Sequence, residues 1–292
     1  MQGLIIPFND IIPGKPLVYV GDHARLSTVT SVIFLSPTLI ACSHFNDCCM
    51  YLISFNLYDK TYKVLQTIDT TFQGKKCETD LLASDNKGNI IATNFNQNTC
   101  SLYVYDDNQI KFTSDLPYDA GNRVHGLRFV NDDIVAVTCR HTHRGIHFFN
   151  IKTFQREALF YVPEISVQDL CLLSNDTFAM ITGFGTPTLA PKKIYSSRVS
   201  LVKFNIKENK FIRIKDCDHE AAHFDNIINY KGVLYITDQY NNKVLMLDAQ
   251  SLEIKGELTD YDFPHGIDVN YDMIAVTNYG NNSIVIKPLE SL

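Results

Sequence analysis

His265-Gly-Ile-Asp-Val-Asn-Tyr-Asp-Met-Ile-Ala-Val-Thr-Asn-Tyr-Gly-Asn-Asn-Ser-Ile-Val-Ile286 holds three short β-branched runs, split by Asn/Asp/Gly turns. One unit earlier stands Phe224-Asp-Asn-Ile-Ile-Asn-Tyr-Lys-Gly-Val-Leu-Tyr-Ile-Thr-Asp-Gln-Tyr-Asn-Asn-Lys-Val-Leu-Met-Leu247. Tyr230 matches Tyr271, Thr237 matches Thr277, Tyr240 matches Tyr279, and Asn241-Asn242 matches Asn281-Asn282. Self-similarity at this spacing marks a repeat architecture, because one such unit cannot bury its own apolar faces.

The repeat runs back through the chain. Its first runs open at Ser31, Asp80, Gly126, Asp169, Asp225 and Gly266, with spacings of 41 to 56 residues. Each unit adds a more polar fourth run, such as Tyr62-Lys-Val-Leu-Gln or Leu252-Glu-Ile-Lys-Gly-Glu. Four short strands per ~40–50 residues is the signature of a propeller blade. Six such units fill the 292 residues and a seventh would not fit. The expected fold is therefore all-β: a six-bladed β-propeller of four-stranded antiparallel blades, forming one domain over residues 1–292. The last unit ends without a fourth run. An N-terminal strand, Lys15-Pro-Leu-Val-Tyr-Val20, is expected to complete it and so remove an exposed sheet edge.

Composition narrows the function classes. The chain carries 26 Lys+Arg against 32 Asp+Glu, a net charge of −6, which argues against a phosphate-backbone binder. No run reaches the ~18 apolar residues of a membrane span. The eight cysteines show no CxxC or metal-ligand spacing and sit mostly in apolar runs, so they read as reduced core thiols of a cytoplasmic protein. Partners are then expected to be a protein or a small molecule, with neither nucleic acid nor membrane. The absence of Trp removes the WD-repeat class.

The last two units resemble six-bladed propeller families: NHL repeats and the regucalcin-like and paraoxonase-like lactonases. The resemblance rests on Pro264-His-Gly-Ile267, on Phe224-Asp-Asn-Ile227 and on the Thr-Asn-Tyr-Gly-Asn-Asn turn at 277–282. It covers the whole chain as architecture and only these stretches as motif. It implies a site at one mouth of the central channel.

In a propeller the first strand of each blade lines the channel. Its start, and the end of the second strand, share one face of the disc. Reading the repeat in that frame gives strand-one starts at Thr30, Thr79, His125, Gln168, Phe224 and His265. Asp80, Asp169 and Asp225 follow at one common repeat position, matched to Gly126 and Gly266. The strand-two ends are His44, Asn94, Arg140, Phe184, Asp238 and Asn278. The expected ligand-binding residues are the polar members: His44, Asp80, Asn94, His125, Arg140, Asp169, Asp225, Asp238, His265 and Asn278. Each also has a plain structural reading. Asp and Asn at strand ends cap turns through neighbouring backbone, and the recurring Asp could repeat one blade-to-blade hydrogen bond. The long loop at 183–197, punctuated by Gly and Pro, is expected to roof the same mouth and to offer Lys192, Lys193 and Tyr195.

Two function classes follow. The first is a non-enzymatic propeller that binds a protein or small ligand at the channel mouth through a polar funnel and exposed aromatics such as Tyr240 and Tyr279, with no catalytic residues and no cofactor. The second is a Ca²⁺-dependent lactonase or hydrolase. The lactonase resemblance would make Asp225 and Asn226 the ligand pair, complete the shell with Asn278, Asp238 or Asp80, and use His125 or His265 as base. The Gly-Glu-x-Pro motif of the regucalcin-like enzymes is absent, so the binding module is placed first. A third arrangement, a lyase with Zn²⁺ on His125, His223 and His265, needs His223 to leave its register.

Overall fold

The computed structural model describes residues 3–11, 28–116, 124–139, 145–162, 166–184 and 196–289. They form six four-stranded antiparallel sheets and one two-stranded ribbon, Thr71–Phe72 with Lys75–Lys76. The first strands of the blades are Val29–Ser36, Thr79–Ser84, Val124–Phe129, Ser166–Ser174, Phe224–Tyr230 and Pro264–Asn270. Each packs against the next around a ring, and the sixth returns to the first. The chain is thus a six-bladed propeller with the first strands innermost.

The strands read as nearly continuous apolar runs because both faces of each blade are buried. In the second strand of blade one, Leu39–His44, alternate side chains serve opposite neighbours. Leu39 and Ala41 pack with Leu82, Ile90 and Tyr103 of blade two, while Ile40 and Cys42 pack with Ala275 and Ile284 of blade six. Each of the six blade-to-blade interfaces holds its own hydrophobic cluster. The period-two geometry of a strand produces this division directly. The outermost strands are half solvated and alternate accordingly, as along Thr61–Asp69. All eight cysteines are free thiols, six of them buried. No helix among the described residues is long and apolar enough to cross a membrane.

The ring is closed by N-terminal residues, but by a different segment from the one expected. Leu4–Pro7 pairs antiparallel with Ser283–Pro288, in the order Leu4 with Ile286 through Pro7 with Ser283. Residues 15–20 lie outside the described residues, and Leu4–Pro7 fills the one edge of Ser283–Pro288 that its neighbour Met273–Asn278 leaves open. The physical reason is the short alternation Leu4-Ile5-Ile6: Leu4 and Ile6 are buried, and Ile5 is 59% exposed. Phe8 continues the anchor, stacking on His44 and meeting Tyr51 edge-on in the same interface. The loop core, 185–195, also lies outside the described residues, with Lys192, Lys193 and Tyr195.

Ile6→Ala should lower the unfolding free energy by about 2–5 kcal/mol, as for other buried aliphatic truncations. Ile5→Ala, on the solvent side of the same strand, should stay within about 0.5 kcal/mol of the native protein. Urea unfolding followed by circular dichroism measures both, and equal losses would refute the register.

Candidate functional site

The first strand of every blade breaks register against its partner at one place: between Val29 and Ser31, Thr79 and Leu82, Val124 and Leu127, Val167 and Asp169, Phe224 and Ile227, and Pro264 and Ile267. A bulge of this kind bends a strand and re-aims its side chains. The residues carried at its start are Thr30, Asp80, His125, Gln168, Asp225 and His265. Asp80 and Asp225 therefore share the level of His125 and His265. Matching letters along the repeat sets them one residue away, opposite Gly126 and Gly266, whereas strand pairing aligns Thr79 and Phe224 with Val124 and Pro264.

Four of these six side chains meet across the channel from blades two, three, five and six. His125 Nε2 lies 3.6 Å from Asp80 Oδ2 and 3.4 Å from Asp225 Oδ2. His265 Nε2 lies 2.7 Å from Asp225 Oδ2 and 3.8 Å from Asp80 Oδ1. None of the four residues is more than 4% exposed. Asp80, His125 and His265 each offer a donor atom within 4.8 Å of the others, a grouping able to hold a metal ion.

Local sequence explains how the two imidazoles are held. In each His-Gly pair, a Cβ on the glycine would strike the neighbouring blade: Asp169 at Gly126, and Thr30 and Ser31 at Gly266. Glycine lets the blades close up. That approach brings a backbone carbonyl to each ring: His125 Nδ1 lies 2.7 Å from Gln168 O, and His265 Nδ1 lies 2.8 Å from Thr30 O. A carbonyl only accepts, so Nδ1 carries the proton on both rings, and in the neutral form Nε2 bears the lone pair. Both lone pairs then face carboxylate oxygens. Burial by itself would push the pKa of His265 down, but the carboxylates of Asp225 and Asp80 outweigh it and hold it above the ordinary histidine range.

The other expected residues do not reach this cluster. His44, Asn94, Asp238 and Asn278 end second strands, one strand spacing farther from the axis, about 4.8 Å. They tie turns together. His44 Nδ1 contacts Asp47, and Asn94 donates to Thr99 and Ser101. Asp238 accepts from His223 N and Asn241, and Asn278 accepts from Asp262 N. Asp169 sits one residue deeper than the cluster, on Arg128 at 2.6 Å. It also accepts Ile227 N of blade five, as Ser31 accepts Leu82 N and Asn226 accepts Ile267 N. The repeated blade-to-blade bond thus belongs to Asp169, Ser31 and Asn226, and not to Asp80 or Asp225. Arg140 lies outside the described residues. His223 stands beside the cluster, its Nε2 3.7 Å from Asp225 Oδ1 and its ring against Tyr240.

Tyr240 and Tyr279, the expected exposed aromatics, stand on the same face, while sequence reasoning missed Arg128, Phe263, Phe45 and Phe95. Tyr279 stacks on His265 at 4.2 Å, and Phe263 continues the stack. Tyr240 adjoins Phe263, and Phe45 meets Phe95 at 5.3 Å. Phe45, Phe95, Tyr240 and Tyr279 each fall one or two residues after a second strand. That recurrence was visible in the repeat.

No protein-family model and no curated protein matches the chain. Among solved structures it is similar to hydrazine synthase of Kuenenia stuttgartiensis, at 10% identity and a TM-score of 0.61, over 89% of this chain and 77% of that one. A likeness at this identity shows the propeller fold and nothing of the chemistry.

Gly266→Ala should destabilise the protein by about 1–3 kcal/mol through overpacking against blade one. It should also loosen the contact of His265 with Thr30 O. A high-resolution structure of the variant with unchanged blade spacing and unchanged stability would contradict this account.

Proposed function

We propose that the protein binds a small ligand at the channel mouth, on the face that carries the strand-one starts. One observation carries the reading: Asp80, His125, Asp225 and His265 converge from four blades beside an aromatic collar. The blades are already held by six apolar interfaces, so this buried ionisable group is a cost that the fold does not require. A polar, oxygen-bearing head fits the cluster, and a flat ring or apolar body fits Tyr240, Phe263 and Tyr279. Half-exposed Tyr240 gives such a body a face to stack on.

The alternative is a metal-dependent lactonase or hydrolase. His223 favours it, because an imidazole next to Asp225 and outside the four-residue cluster is placed to serve as a general base.

A thermal-shift screen of hydroxylated and carboxylated aromatic compounds, monosaccharides and simple lactones tests both. A compound at 100 times its dissociation constant adds about 2.7 kcal/mol of stability. The expected result is a set of stabilising compounds whose effect falls at least tenfold in affinity in Tyr240→Ala/Tyr279→Ala. Equal stabilisation of both proteins would overturn the collar as the site. Turnover of a lactone that His223→Gln abolishes would establish the hydrolase.

A further inference from the structure

We infer that Asp80, His125, Asp225 and His265 form a centre for one divalent first-row transition-metal ion, such as Zn²⁺, Mn²⁺ or Co²⁺. This deepens the ligand reading without depending on it, since ion uptake and collar binding are measured separately.

Three observations converge on the ion. The first is donor chemistry. With both Nδ1 protons committed to Gln168 O and Thr30 O, each neutral ring presents its Nε2 lone pair to the carboxylates. Such lone pairs and carboxylate oxygens, 2.7 to 3.8 Å apart, need a positive charge among them; without a metal a proton on His265 Nε2, 2.7 Å from Asp225, supplies it, and the ion would take that proton's place. An imidazole that donates its far N–H to a carbonyl is the usual partner arrangement of a metal-bound histidine.

The second is size. Donors bound at 2.0–2.1 Å in a tetrahedron stand about 3.3 Å apart. The four His-to-Asp separations, 2.7, 3.4, 3.6 and 3.8 Å, bracket that spacing; Asp225 meets both rings with one oxygen, while Asp80 meets them with different oxygens and would turn to bring one to the ion. Asp80 contributes the two longest of them, and it is the ligand that an oxygen of a bound compound would displace.

The third is charge. Two carboxylates and a divalent ion leave a neutral centre, which a site this buried requires. The donor set also selects the class of ion. Calcium takes six to eight oxygens, and two imidazoles are poor company for it. Imidazole with carboxylate suits Zn²⁺ and its first-row neighbours. The site's position gives the ion a second effect: it would join blades two, three, five and six across the channel.

The experiment uses the full-length protein stripped with a chelator and reloaded. Elemental analysis should find one ion per chain, and Co²⁺ should give the intense visible absorption of a four-coordinate N,O site. Reloading should raise the thermal midpoint by several degrees. His265→Gln and Asp225→Asn should each weaken uptake by at least 100-fold, and Asp80→Asn by less. Circular dichroism checks that each variant is folded. Asn94→Ala, a turn residue outside the cluster, should bind the ion as the native protein does, which separates ligand loss from general loosening of the fold. Failure of the stripped native protein to take up Zn²⁺, Mn²⁺ or Co²⁺ would overturn the inference in favour of a proton-filled ion-pair cluster. So would uptake that survives both His265→Gln and Asp225→Asn.

Discussion

One carbonyl oxygen shows how the ring and the site depend on the same contact. Thr30 O, on the first strand of blade one, accepts Thr277 Oγ1 at 3.0 Å and His265 Nδ1 at 2.8 Å, both from blade six. The threonine hydroxyl accepts Gly266 N in turn, holding the bulge open. The same set recurs between blades three and four, where Gln168 O accepts Thr138 Oγ1 and His125 Nδ1 while Thr138 accepts Gly126 N. Each hydroxyl satisfies a backbone N–H that the bulge frees from the ladder, and each carbonyl finds its donors across the blade boundary. Blade closure and imidazole orientation are therefore one event.

This coupling governs what the site can be. The histidines are held by main chain, which positions them more rigidly than a second set of side chains would. The aspartates come from blades whose bulges lack the His-Gly pair, and the two residue types alternate around the channel: Asp80 and His125 on neighbouring blades, then Asp225 and His265 on the two blades opposite. Below them Arg128 meets Asp169, Asn226 Oδ1 and Ile227 O. Among the described residues the channel thus has an upper layer of imidazoles and carboxylates and a lower layer where the Arg128 guanidinium is committed to fixed acceptors. The upper layer adjoins the aromatic collar, where Tyr279 stacks on His265.

Much of the fold was legible in the sequence. The matched threonines Thr237 and Thr277, the β-branched runs and the Asn-Asn turns specify a blade, and chain length then limits the ring to six. His125, His265, Asp80 and Asp225 were also legible as polar residues at strand starts on one face. Their register was not: Thr79-Asp80 and Phe224-Asp225 match Val124-His125 and Pro264-His265 only through strand pairing, and an offset of one residue leaves no mark in composition. The roles of His44, Asn94, Asp238 and Asn278 were equally hidden: a strand-end Asn reads the same whether it caps a turn or faces a channel. The closing strand was misplaced because residues 4–7 and 15–20 are both short apolar runs beside a proline, and only pairing distinguishes them.

The sequence by itself determined the repeating unit, its number and the face that gathers polar side chains, because those follow from local periodicity and from the need of each blade to bury both faces. The tertiary structure alone decided which polar residues share one point in space. That depends on the bulge in each first strand and on the curvature that brings blades two and three opposite blades five and six. Residues 145 positions apart, such as Asp80 and Asp225, meet through His125 and His265 only because the ring closes.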